Sequence, residues 1–123
     1  MLIDSNLIIY ATHPRHQRLR RWIVEQATHY SVITRLETLG YQRLSDAEAG
    51  SINVILDHLE AVAIDDSVIE QAIGLRRQHK MSLGDAVIAA SCLVRQLPLA
   101  TANDKDFCWI EAFMVRNPLK EEK

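Results

Sequence analysis

The 123-residue chain has only two cysteines, three prolines and four glycines, and it carries no surplus of positive charge. Cys92 and Cys108 are spaced for neither a disulfide framework nor a zinc site, so the expected setting is a reducing cytosol. With so little proline and glycine there is no linker, internal repeat or low-complexity segment to divide the chain. A formal net charge of −2 excludes a protein that holds nucleic acid by overall positive potential and leaves only a local basic stripe for that role. Long apolar runs are missing too: residues 54–56 and 86–94 fall short of the roughly 20 needed to cross a bilayer, so no membrane partner is expected. Asp4 stands where a signal peptide would need a basic stretch and then an unbroken apolar run, which argues against export. At 48% hydrophobic content the chain is long enough for one ordinary core and too short for two.

What is present is an alternation of short apolar runs with helix-period segments. Leu2-Ile3 reads as a buried first strand and residues 7–11 as a short helix leaving it. After Pro14, the apolar residues Leu19, Trp22, Ile23 and Ala27 recur at helical spacing, with Arg18 and Arg21 on the opposite face. Residues 30–33 read as a second strand, 34–44 and 46–58 as helices, and 59–64 as a third strand. A helix opening at Ser67 closes at Lys80, and residues 82–96 form the most apolar helix, expected against the sheet with Cys92 in the core. Leu99-Ala100-Thr101 is a fourth strand and residues 112–115 a fifth, while the charged end from about residue 119 reads as a disordered tail. Strands alternating with helices predict an α/β fold with a mostly parallel sheet in a single domain spanning residues 1–123.

Asp4, Glu37, Asp85 and the Asp104/Asp106 pair follow apolar runs or open helix-like segments. Ligands of open α/β sheets gather outside the carboxyl ends of the strands, so acids scattered through the sequence can meet there. Each acid has an ordinary explanation. Asp4 can be a helix N-cap, and residues 101–107 can be a polar turn. Thr34-x-x-Glu37 and Ser82-x-x-Asp85 fit the capping box, as do Ser45-x-x-Glu48 and Ser67-x-x-Glu70. Gathered in one cleft, the acids would repel one another unless a cation neutralised them, and hard oxygen donors suit Mg²⁺ or Mn²⁺.

Four fragments in order carry a resemblance: Ile3-Asp4-Ser5-Asn6-Leu7-Ile8-Ile9-Tyr10-Ala11, Thr34-Arg35-Leu36-Glu37-Thr38-Leu39-Gly40, Leu83-Gly84-Asp85-Ala86-Val87-Ile88-Ala89-Ala90 and Leu99-Ala100-Thr101-Ala102-Asn103-Asp104-Lys105-Asp106-Phe107. Over nearly its whole length the chain resembles a PIN-domain ribonuclease of the VapC toxin type. That resemblance implies a PIN-like α/β/α sandwich with a mostly parallel sheet of about five short strands. It also implies an endoribonuclease that uses Mg²⁺ or Mn²⁺ and leaves a 5′-phosphate and a 3′-hydroxyl. Asp4, Glu37 and Asp85 would be the metal-binding catalytic acids, with Asn6 orienting Asp4 and Thr101 near the cleft. Related sequences place a fourth acid either where this chain has Asn103 or at Asp106, which favours Asp106 over Asp104. Ser5 stands where threonine is more usual and keeps the hydroxyl. The resemblance further implies a homodimer and a cognate antitoxin whose tail occludes the cleft, for which a planar, bidentate arginine is physically suited.

An RNA substrate needs a cationic approach, and Arg15, Arg18, Arg20 and Arg21 fall within seven residues; the alternative is a solvated helix face. The five histidines show no zinc-like spacing and read as surface or packing residues, and Trp22 belongs to an apolar face. Two other functions compete. One is a catalytically silent PIN-like RNA-binding or interaction module. The other is a phosphoacceptor receiver domain, for which Asp57 is poorly placed in a helix-like run and no acidic pair follows the first strand.

Overall fold

The computed structural model describes residues 1–121. Five short strands, Leu2–Ile3 (β1), His29–Ser31 (β2), Glu60–Val62 (β3), Leu99–Ala100 (β4) and Val115–Arg116 (β5), form one sheet. Their order is β3-β2-β1-β4-β5 and every neighbouring pair is parallel. The helices are Ser5–Ala11 (α1), Gln17–Gln26 (α2), Ile33–Leu39 (α3), Asp46–Asp57 (α4), Asp66–Gln78 (α5), Leu83–Arg95 (α6) and Pro118–Glu121 (α7), with a 3-10 turn at Asp104–Asp106.

Side chains of a strand alternate between faces, and in β1 and β4 each residue is committed to one of two cores. Leu2 and Leu99, paired in register, join the cluster of Val68, Leu75, Ala86, Ala89 and Phe107 from the α5/α6 side. Ile3 and Ala100, the next register pair, join Leu7, Ile8, Leu19, Ile23, Ile52 and Leu56 from the α1/α2/α4 side. Burial on both faces is why these strands read as apolar runs without polar alternation. The expected α/β architecture is present: a parallel sheet between two helical layers. A receiver-type doubly wound domain would have the order 2-1-3-4-5, and Asp57 closes α4 instead of ending a strand.

Several boundaries differ from the sequence reading. The second strand ends at Ser31; Val32 already has helical backbone angles and is the N-cap of α3. That helix stops at Leu39, well before residue 44: the Gly40 N–H still makes the helical bond to the Leu36 carbonyl, but the Gly40 backbone, at φ −84° and ψ 13°, has left the helical angles. The third strand covers only Glu60–Val62, and the fifth lies at Val115–Arg116, later than residues 112–115. Ser45-x-x-Glu48 forms a complete capping box at α4, whereas α5 is capped by Asp65 and not by Ser67. Part of the segment read as a tail, Pro118–Glu121, is the helix α7; residues 122–123 lie outside the described residues. Cys92 is buried in the core, and burial pushes its thiol up to about 12, so it is an inert packing residue.

Candidate active site

β1 lies between β2 and β4, so the chain winds outward in opposite directions on its two sides. The crevice at such a switch point, outside the carboxyl ends of the strands, is where an open α/β sheet receives ligands. Asp4 follows β1 directly, its backbone N–H still bonded to the Ala100 carbonyl at 2.8 Å. Its carboxylate is buried and accepts from the Ser5 N–H (2.8 Å) and from the Thr101 hydroxyl (2.7 Å) at the end of β4. Asp4 is therefore the N-cap of α1, as its ordinary reading holds, and it also faces the crevice.

Burial, reinforced by the charges of Asp85 and Glu37, pushes the Asp4 carboxyl up to about 6 despite the two hydrogen bonds it accepts. Asp85, in the first turn of α6, is raised first by burial and then by the charges of Asp106 and Glu37, against a hydrogen bond from Ser82. Acids from four separated segments thus act on one another at one edge. No cationic side chain pairs with Asp4, Glu37, Asp85 or Asp106 among the described ion pairs.

Glu37 is not a capping residue. Thr34 lies inside α3, whose N-cap is Val32, and its buried hydroxyl is 2.9 Å from that of Ser5. The Ser5 hydroxyl donates to Glu37 Oε1 at 2.7 Å, and its single proton is then committed, so Thr34 must be the donor to Ser5. A relay of hydroxyls therefore fixes Glu37 beside the end of β1. On its other side, a Cβ added at Gly84 would stand 2.5 Å from Glu37 Oε2. Thr34 and Gly84 are the contributors to which sequence reading gave no part in the site, and Ser5 was noted there only for keeping a hydroxyl. Thr34 carried a signal, the threonine three residues before Glu37, but it was attributed to a cap.

The family model for the PIN domain matches residues 1–112. The chain belongs to the PIN-domain family. Among solved structures it is similar to a toxin–antitoxin complex from Klebsiella pneumoniae, at 26% identity and TM-score 0.76 over 95% of this chain and 96% of that one. The VapBC2 complex of Rickettsia felis bound to a promoter DNA fragment gives 18% identity and TM-score 0.76 over 94% and 96%. FitAcB from Neisseria gonorrhoeae gives 22% and 0.72 over 96% and 97%. No curated protein matches the chain.

In this PIN domain the two candidates for a fourth acid are separated by their partners. Asp104 accepts from Asn117 Nδ2 and from Lys120 Nζ, both at 3.1 Å, which hold its carboxyl below the usual range. Asp106 is exposed and acts on Asp85 instead. The Asn103 N–H bonds to the Thr101 hydroxyl at 3.0 Å, so Thr101 is held from both sides. Asn6 accepts from the Ala102 N–H at 3.3 Å and braces the loop after β4; the described side-chain partner of Asp4 is Thr101. Arg15, Arg18 and Arg21 are exposed on α2 and the turn before it, while Arg20 turns back onto the carbonyls of Ala11 and His13. Trp22 packs against the α1/α2/α4 core with Arg116 over its ring at 5.5 Å. Among the described residues, no three acid, histidine or cysteine side chains already stand grouped to hold a metal ion. No helix among them is long and apolar enough to cross a membrane.

Proposed function

We propose that this PIN domain is a divalent-metal-dependent endoribonuclease, acting in the cytosol as the toxin of a type II toxin–antitoxin pair. The observation that carries the reading is the meeting of Asp4, Glu37, Asp85 and Asp106 at one sheet edge with neutral hydroxyl and N–H donors beside them and no paired cation. The donor set fits a hard cation: all four are carboxylates, and burial and mutual repulsion raise two of them. Asp4 and Asp85 would be the principal ligands for Mg²⁺ or Mn²⁺, with Glu37 and Asp106 completing the set. The last two are exposed, which leaves them room for the side-chain movement that ligation requires. Bound divalent ions would lower the pKa of the attacking water and neutralise charge on the leaving oxygen.

The chain's own residues do the positioning. Thr101 and the Ser5 N–H hold the two Asp4 oxygens in fixed directions, and the Thr34–Ser5 relay does the same for Glu37 Oε1. The similar structure from Klebsiella pneumoniae is a toxin–antitoxin complex, which supports an antitoxin partner, and the family resemblance implies a homodimer. An antitoxin arginine placed among the four acids would neutralise them and block the cleft. Arg15, Arg18 and Arg21 would meet RNA phosphates.

The test is cleavage of a panel of structured and single-stranded RNAs with Mn²⁺, Mg²⁺ or EDTA, alongside Asp85→Asn. Cutting that requires metal and disappears in the variant supports the reading. A folded protein that cuts nothing, and into which Mn²⁺ titrates without heat, would sink it and leave a binding module.

A further inference from the structure

The acids are flanked by an aromatic pair that the cleavage mechanism does not use. His79, the residue that ends α5, stacks on Trp109 with ring centroids 4.5 Å apart and planes 12° from parallel. His79 is exposed and lies three residues before Ser82, the cap from which Asp85 follows; Trp109 Nε1 donates to the Asp106 carbonyl at 3.2 Å. The stack therefore joins the two segments that deliver Asp85 and Asp106. Beside Trp109 opens a cleft of about 360 Å³ whose lining includes Gln71, Gln78 and Glu111, side chains that can donate to or accept from a base edge. Arg76, Arg77 and Lys80 stand at the same end of α5, and Arg77 and Lys80 take part in none of the described ion pairs. Cations in a last helical turn complement the helix dipole, which accounts for the arginines but not for a stacked aromatic pair next to them.

We propose that His79 and Trp109 form a stacking platform for an unpaired nucleobase of the RNA, with Arg77 and Lys80 meeting its phosphates. Every base has a π-face, so aromatic platforms bind single strands, and proteins that read RNA do so mainly on unstacked bases. The substrate would then cross the α5/α6 side of the molecule, a route distinct from the arginines of α2. The proposal rests on the nuclease reading for the identity of the strand, but its test does not need cleavage.

The experiment uses the whole protein in EDTA with a short single-stranded RNA carrying 2-aminopurine, whose emission is quenched on stacking, and with the same RNA in a duplex. The single strand is expected to bind with quenching and the duplex without it. His79→Ala is expected to weaken single-strand binding about tenfold, the scale of one lost base stack, and His79→Phe to restore it, while Mn²⁺ affinity measured by calorimetry stays unchanged in both. Unchanged RNA affinity in His79→Ala, or equal quenching by the duplex, overturns the proposal. A fall in Mn²⁺ affinity with RNA affinity intact also overturns it, because the pair would then be a clasp between the acid-bearing segments. RNA cleavage that survives His79→Ala with full affinity would leave the nuclease standing without the platform. Binding that depends on His79 in a protein that never cuts would leave the platform without the nuclease.

Discussion

The two edges of the sheet treat most of their acidic side chains in opposite ways, Asp104 with its Lys120 partner being the exception at the carboxyl edge. At the amino edge, Glu60 at the start of β3 is paired with Arg95 from the end of α6 at 2.7 Å and with His29 at the start of β2 at 3.1 Å. The Met1 ammonium is 2.8 Å from the Thr28 hydroxyl, which also meets His29 Nδ1 at 2.6 Å. Charge there is answered by charge or by a neutral partner. At the carboxyl edge, Asp4, Glu37 and Asp85 have hydroxyls and N–H groups for partners, and with Asp106 they have one another for neighbours. Acids that raise one another's pKa without a paired cation, as Asp4 and Asp85 do, are more often found at functional sites than elsewhere. The amino edge pairs its charges; under the proposed function a cation would complete the carboxyl edge.

The contrast has consequences of decreasing size, beginning with the buried acid. The Asp4 carboxyl titrates at about 6 in the folded chain against an ordinary 3.8, so folding favours its protonated form. Its contribution to stability is complete below about pH 4 and is lost as pH rises through 6. On the order of 3 kcal/mol is at stake in metal-free protein, and Asp85, raised in the same direction, adds to it. Urea unfolding in EDTA from pH 4 to 8 is expected to show this loss, and Asp4→Asn is expected to flatten it while abolishing metal-dependent cleavage. Parallel curves for the two proteins would mean that the carboxyl edge is not strained.

Ser5→Ala removes the donor to Glu37 Oε1 and the acceptor for the Thr34 hydroxyl. We expect a 10- to 100-fold loss of Mn²⁺ affinity, the usual effect of deleting a partner that orients a metal ligand, and a stability cost of about 1–2 kcal/mol. Ser5→Thr keeps the hydroxyl and should retain most of both. If calorimetry finds Mn²⁺ affinity intact in Ser5→Ala, the relay is only a packing feature.

Gly84→Ala separates the site from the fold. The new methyl would meet the far end of Glu37, a flexible side chain, so Glu37 must move while the backbone need not. A glycine-to-alanine change inside a helix gains up to about 1 kcal/mol, so thermal melts should show equal or higher stability together with weaker Mn²⁺ binding. Equal binding would show that the approach of Gly84 to Glu37 is incidental. The smallest effect belongs to the amino edge. Glu60 is 63% exposed, so Glu60→Gln is expected to cost less than about 1 kcal/mol and to leave cleavage unchanged. A loss of activity in that variant would break the division between the two edges.

The central apolar runs were legible because both faces of β1 and β4 are buried, and the helices because their buried residues recur at helical spacing. What misled the sequence reading was local pattern without tertiary context. Thr34-x-x-Glu37 and Ser45-x-x-Glu48 are equally good capping boxes as strings, yet only the second is one, because Val32 already starts α3 and turns Thr34 inward to Ser5. Asp104 and Asp106 differ by two positions in an acidic turn; the family resemblance already favours Asp106, and the arrival of Asn117 and Lys120 from the end of the chain gives Asp104 partners of its own.

By itself, the sequence determined the layered α/β fold, the family through its four ordered fragments, and the acids that follow β1 and open α6. These are properties of periodicity and of residue type at a strand or helix end, which a short stretch of chain carries alone. Tertiary structure alone decided which hydroxyls hold Asp4 and Glu37, that Asn117 holds Asp104, and that His79 stacks on Trp109. Those partners lie 97, 32, 13 and 30 residues apart in the chain, and contacts at that separation depend on sheet order and helix packing, which no local pattern encodes.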